Sequence, residues 1–332
     1  MQLTWLDPDR LTDRDVAAAV ALLEAARVVD YPHELGPTPT TFTADLQHGW
    51  DGDPAAVALA TQDDGRVVGV LGVQLPRWDN THMVYLEVTV DPELRRQGLG
   101  RQMFDAGVER GRADGRTLVV AGSFDHNAGP AFLKSVGLDR ACDDVQRRQD
   151  LLTLDRAELD RRFGEVEGRA RGYELVHLQG TTPDEMLDGV ARMTEVINDA
   201  PLDDLALEDE VFTPARIRAF EAAQVAHRRR TYRIVARERG TGVLAGHTMV
   251  AVDADRPWFA EQYDTSVLRA HRGHRLGLVL KIEMLRWLRV TEPQLRTLDT
   301  WNAASNAHMV AVNEALGYRV IARASEWQRQ LA

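Results

Sequence analysis

Two short stretches of this chain have residue types and spacing that could hold an anion. One is LRRQGLGRQMF, from Leu94 to Phe104; the other is HRGHRLGLVLK, from His271 to Lys281. Each runs from a basic residue through a Gly-bearing turn into an amphipathic stretch. Where a strand turns sharply into a helix, successive backbone N–H groups point one way and meet the positive end of the helix dipole, which makes a cradle for a pyrophosphate. Gly98 and Gly100 would let the backbone approach the phosphates with no Cβ in the way. The second turn keeps Gly277 but carries Arg275 where the first has Gly98. Two outcomes stand open. Arg275 turns outward and adds its guanidinium to the anion site, or it blocks the second cradle. Neither turn fits GxGxxG or GxxxxGK[ST], so the dinucleotide-fold and P-loop readings fail on their own patterns.

The elements that must position these turns recur. Arg95 and Arg272 open them, and SVGLDR around Gly137 and ALGYRV around Gly317 follow at nearly the same offset. QLTWLDPDRLTDRDVAAAVALL and YELVHLQGTTPDEMLDGVARM share a strand, turn and helix pattern. The spacing is too long for a solenoid and indicates a duplicated domain. In the first half, strands are expected at 2–6, 55–61, 66–75, 82–90 and 116–121, with further strands to about 154. Its helices are expected at 12–29, capped by Thr12, at 99–113 and near 128–136. The second half predicts strands near 173–178, 231–238, 243–252, 259–267, 296–300 and 318–328. Its helices fall near 183–198, 213–226, 276–290 and 306–316. The charged, Gly-interrupted stretch 155–171 reads as a partly helical linker, giving domains at 1–154 and 172–332.

LEVTVDPELRRQGLGRQMF resembles the acetyl-CoA-binding motif of the GCN5-related N-acetyltransferases (GNAT), [QR]xxGx[GA] after a bulged strand. The resemblance extends through the N…GL and N…GY segments and covers most of both halves. It implies an α/β fold: two tandem GNAT domains, each a mixed, mostly antiparallel sheet flanked by helices, with splayed fourth and fifth strands. The tandem arrangement is similar to that of mycothiol synthase. The implied cofactor is acetyl-CoA. Carried over residue by residue, Arg95, Arg96, Gln97, Gly98, Leu99 and Gly100 would hold the first pyrophosphate. Val88 and Val90 would offer backbone groups to the pantetheine or thioester. In the second half Arg272, Gly273, His274, Arg275, Leu276 and Gly277 take the cradle role, and Thr265 and Val267 the strand role. Asn127 and Asn306 match the family's asparagine after the next strand. The tyrosine that usually protonates the departing thiolate is replaced by Leu133 in the first half and by Asn313 in the second. Asn313 can donate only a hydrogen bond. Glu87 and Asp264 occupy matching strand positions and are the candidate bases for the attacking ammonium. The bland alternative for each is a strand carboxylate exposed to water or paired with an arginine. The acidic stretch Asn198 to Glu210 reads either as a solvated face or as a lure for an amine at the second half. The second half is therefore expected to carry the chemistry.

Composition sets the outer bounds. The net charge of −11 repels nucleic-acid phosphates and anionic membranes. No run of apolar residues is long enough to span a bilayer, and MQLTWLDPDR lacks a signal-peptide layout. Cys142 is the only cysteine, which excludes an intrachain disulfide and a cysteine-based zinc cluster. Lys134 and Lys281 are the only lysines. The expectation is a cytoplasmic monomer or homodimer, with no metal and no nucleic-acid or membrane partner. It would acetylate a small-molecule amine by direct attack on the thioester. The rivals are a CoA-binding sensor or structural module without turnover, and a protein with one active and one degenerate domain. The lone cysteine and the tryptophans Trp258 and Trp301 read as core.

Overall fold

Thr12 and Thr213 begin helices in the same way, each accepting a hydrogen bond from the backbone N–H three residues on. Such local signals set most boundaries. A computed structural model of the chain describes residues 2–331. The strands are β1 (Gln2–Trp5), β2 (Ala56–Thr61), β3 (Val67–Gln74), β4 (Met83–Val90), β5 (Leu118–Phe124), β6 (Asp139–Asp150), β7 (Tyr173–Gln179), β8 (Arg229–Glu238), β9 (Leu244–Asp253), β10 (Phe259–Val267), β11 (Thr297–Ala303) and β12 (Arg319–Gln330). The helices are α1 (Asp13–Asp30), α2 (Pro39–His48), α3 (Leu99–Ala113), α4 (Gly129–Ser135), α5 (Arg156–Val166), α6 (Leu187–Thr194), α7 (Pro214–Ala226), α8 (Leu276–Thr291) and α9 (Ala307–Ala315).

The chain divides into two compact units. The first gathers residues 1–144 with 202–209 and 323–332, and the second gathers 145–201 with 210–322. In the first unit the strand order is β1-β2-β3-β4-β5-β12, with β12 contributing Ala324–Gln330 antiparallel to β5. β4 and β5 pair in parallel only from Met83 to Tyr85, against Leu118 to Val120, and part beyond that. α3 covers one face, burying Met103, Phe104 and Val108 against Val84 and Leu86. α1 and α2 cover the other, on Leu59 and Val70.

The second unit repeats this plan in the order β7-β8-β9-β10-β11-β6. β10 and β11 pair in parallel from Phe259 to Glu261 and then part. α8 packs on Ile234, Val250 and Ala260, and α6 and α7 pack on Val235 from the opposite face. The stretch 155–171 is helical over α5, which Asp155 caps. It contributes Leu159 and Phe163 to the second unit's core.

Three expectations need correction. α2 begins where residues 30–42, DYPHELGPTPTTF, read as loop. Thr38 and Thr41 form a reciprocal capping box and Pro39 occupies the first helical turn. β4 pairs with β3 in unbroken register, so the bulge expected in both halves is present only on β10, between Gln262 and Thr265. Trp258 and Trp301 are exposed, at 41% and 39%, whereas Cys142 is buried.

Candidate active site

In both units the strand that ends at the gap leads into the turn, and the turn leads into a helix whose first turn has no side-chain cap. Gly98 and Arg275 are the N-caps of α3 and α8, and neither helix start is closed by a side-chain hydrogen bond. The first-turn N–H groups are therefore open to an anion.

The missing glycine has a conformational answer. Each turn holds two residues in the left-handed region: Arg96 at φ 66° and Gly98 at φ 85° in the first, Gly273 at φ 86° and Arg275 at φ 58° in the second. The glycine has moved from the second left-handed position to the first. Each turn thus carries one non-glycine residue there, and the backbone path is kept. The Arg275 side chain is exposed and has no hydrogen bond or ion pair among the described residues. Its guanidinium is free to meet an anion.

The arginines that open the turns behave differently from the cradle role assigned to them. Arg95 donates through Nε to the Val90 carbonyl at 3.3 Å and grips Asp30 with both terminal nitrogens at 2.8 and 2.6 Å. Arg272 donates through Nε to the Val267 carbonyl at 3.1 Å and is paired with Asp199, which also holds Arg269. Both side chains buckle the turn to the strand end and to the element before the acceptor-side loop. Gln97 is exposed, Leu99 is half-buried and Leu276 belongs to the core. His274 contacts the His271 carbonyl at 3.1 Å. Val88 and Val90 lie half-buried on the part of β4 that has left β5. Asn127 accepts from the Gly129 N–H at 2.7 Å and Asn306 from the Met309 N–H at 3.2 Å, so each first opens its helix.

The two candidate bases have opposite surroundings. The Glu87 side chain has no hydrogen-bond partner among the described residues. Its side chain is exposed to water, with neighbouring protein crowding the carboxylate. Burial pushes its pKa up, and the charge of Asp45 on α2 adds to that. Asp264 sits in the β10 bulge. Its Oδ2 lies 2.6 Å from Nε2 of His247, close enough for an ion pair though poorly aligned as a hydrogen bond. Nδ1 of His247 lies 2.5 Å from the buried guanidinium of Arg233. Burial alone would raise the Asp264 pKa, but His247 and then Arg233 outweigh it and hold it below the usual value. Asp264 is therefore the paired carboxylate and Glu87 the unpaired one. Thr265 bonds to Thr248 at 2.7 Å.

Asn313 is fully buried. It accepts from Nζ of Lys281 at 2.7 Å and donates to Asn302 at 2.7 Å. Burial brings the Lys281 pKa down to about 7. A lysine inside the apolar run LVLKIEML was the sequence signal for this cluster. The acidic stretch 198–210 is shared out. Asp199 pairs with Arg269 and Arg272 and Glu210 with Arg216, while residues 202–209 belong to the first unit, where Ala206 and Glu208 bond to His82 and Asn80.

Beside Glu87 the first unit brings together residues that sequence reasoning missed. Tyr85 lies two residues before it on β4. Tyr31 lies close enough that, after burial and Asp30, the Glu87 charge helps to push its hydroxyl pKa up. Tyr31 stacks on Phe124 with ring centroids 5.2 Å apart. Glu326 of β12 accepts weakly from the Tyr85 hydroxyl at 3.4 Å. Burial, then the charge of Asp144, raises its pKa to about 7.

Residues 21–137 match the family model described as acetyltransferase (GNAT) family. A solved tandem GNAT protein from the clavulanic acid biosynthesis pathway, without AcCoA, is 28% identical, with 99% of this chain and 98% of that chain covered and a TM-score of 0.83. A GCN5-related N-acetyltransferase from Sphaerobacter thermophilus covers 99% of this chain and 95% of its own at 15% identity, with a TM-score of 0.69, which is likeness of fold. The mycothiol acetyltransferase of Clavibacter sepedonicus is 33% identical over 103 residues. That stretch spans 31% of this chain and only 28% of the relative.

Proposed function

On the premise that this chain is a tandem GNAT protein, we propose that it is an acetyl-CoA-dependent N-acyltransferase whose first unit acetylates a small amine. The observation that carries this reading is Glu87. It is an unpartnered carboxylate with a raised pKa, on the strand that feeds an open, uncapped helix start. The cradle at Arg96 to Gly100 would bind the pyrophosphate through backbone N–H groups, and the gap between β4 and β5 would take the pantetheine. Acetyl-CoA supplies the activated acyl group.

Glu87 accepts a proton from the substrate ammonium, directly or through one water. The freed nitrogen attacks the thioester carbonyl carbon. The C–N bond forms, the C–S bond breaks, and CoA leaves as thiolate; the second proton of the acylated nitrogen passes through water to that thiolate, because Leu133 has no proton to give. A carboxylate whose pKa is raised is a stronger base for this step. The second unit keeps the cradle, with Arg275 available to a phosphate, but its strand carboxylate is tied up by His247. Its role in this reading is to bind CoA without turning it over. The weighting toward the second half that the sequence suggested is replaced by the first.

The test is release of free thiol from acetyl-CoA over a panel of amines. Amine-dependent release that collapses in Glu87→Gln and persists in Asp264→Asn supports the assignment. Release that persists in Glu87→Gln and collapses in Asp264→Asn moves the chemistry to the second unit.

A further inference from the structure

Two strands from Glu87 on the same sheet stands a second carboxylate with no established task. Glu326 lies on β12 opposite Gly122 of β5. A Cβ at Gly122 would stand 2.6 Å from the Tyr85 hydroxyl and 2.7 Å from Oε1 of Glu326. The absent Cβ makes the room that the Tyr85 hydroxyl and the Glu326 carboxylate occupy. Oε2 of Glu326 is enclosed and has no hydrogen-bond partner among the described residues. Leaving such an oxygen unpaired is costly, so its presence calls for a donor from outside the chain.

The equivalent place in the second unit carries a large side chain. Trp301 is the fifth residue of β11, as Gly122 is the fifth of β5. The glycine, and the Tyr85–Glu326 contact it permits, are thus specific to the unit with the unpartnered Glu87. Glu87, Gly122 and Glu326 stand on three successive strands, β4, β5 and β12. At the usual strand spacing this puts the two glutamate backbones about 10 Å apart, and more where β4 and β5 part. Glu87 and Glu326 are close enough for the charge of one to raise the pKa of the other. Asp45 and Asp144 add negative charge around them.

We infer that Glu326 is a specificity-determining residue of the first unit, holding the second cationic group of a dicationic amine acceptor while the first is deprotonated at Glu87. The inference rests on the acyltransferase reading and names the substrate class for it. A monoamine leaves Glu326 unpaired. A diamine or amino-guanidine satisfies its enclosed oxygen and offsets the surrounding acids.

The probes are 1,4-diaminobutane and butylamine. Wild-type protein is expected to show a higher kcat/KM for the diamine. In Glu326→Gln that preference should fall by about 10–100-fold, the weight of one charge-assisted contact, and the loss should lie in KM. Titration calorimetry with 1,4-diaminobutane and no acetyl-CoA should show the same loss in affinity. Should Glu326→Gln fail to fold, Gly122→Ala, whose Cβ displaces the Glu326 carboxylate, is expected to lower the preference in the same way. A diamine preference that is absent in the wild type, or unchanged in the variants, overturns this inference and leaves the acyltransferase reading standing. Protein that releases no thiol with any amine and binds neither probe overturns both.

Discussion

Glu87 and Asp264 occupy matching places in the sequence and opposite places in chemistry. Glu87→Gln should cost roughly 10²–10⁴ in turnover, and less at high pH where the amine arrives unprotonated, as steady-state rates across pH 6–9 would show. Asp264→Asn should act on stability. It leaves Arg233 and His247 buried without their carboxylate, a loss of about 3 kcal/mol measurable by denaturant titration. Glu326 carries a signature of its own in stability. Its folded pKa of about 7 stands above the ordinary 4.5. Between those values the native protein keeps a proton that the unfolded chain has lost, so stability falls as pH rises through the window. Glu326→Gln is spared this, and its stability in thermal melts should climb relative to wild type from pH 4.5 to 7.5, by on the order of 2 kcal/mol at the top. The sequence located Glu87 and Asp264 because both lie a fixed distance before a recognisable turn. It could not rank them, because the partners that separate them, His247 and Arg233, come from other strands.

Among the elements, the turns and their helices were legible almost to the residue. α3 begins at Leu99 and β10 spans Phe259–Val267 as expected, since glycines and alternating apolar residues act locally. α2 went unseen because its start depends on Thr38 and Thr41 bonding to each other, a signal easily lost among loop-like prolines and glycines. The displaced glycine gives a test of the turn. Arg275→Gly relieves a left-handed arginine and should raise stability by on the order of 1 kcal/mol. If Arg275 also meets a phosphate, calorimetry will show weaker CoA binding to the second unit. Between α8 and α9, Lys281 and Asn313 stand where the first unit has Phe104 and Leu133. Lys281→Met alone strands a buried amide oxygen at a cost of about 1–3 kcal/mol. Combined with Asn313→Leu it restores an apolar contact. Lysine with a pKa of about 7 in place of the usual 10.5 is penalised in full below pH 7, and the penalty fades as pH rises toward 10.5. The double variant should therefore gain on the order of 2 kcal/mol over wild type at pH 6 and progressively less by pH 9, in thermal melts at each pH.

For the molecule as a whole, the duplication was readable from the recurrence of turn, strand and helix. The use made of β12 was not. Its residues from Ala324 onward pair with β5 in the first unit, and nothing in a strand's own sequence says which neighbour it will find. Glu326 escaped notice for the same reason. A fragment ending at residue 154 should leave β5 with an unpaired edge. It is expected to aggregate in size-exclusion chromatography and to show weak native circular dichroism, and a peptide of residues 319–332 added in trans should rescue it in part. In the cell the same pairing becomes a matter of timing. At about 5–20 residues per second, a ribosome that has finished Asp144 needs roughly 10–35 s more to deliver Arg323. Through that interval the nascent first unit has Glu87 and its turn but neither its last strand nor Glu326. Any product lost to premature termination is born without the acid that selects its substrate, so selectivity becomes a property only of chains translated through to that strand.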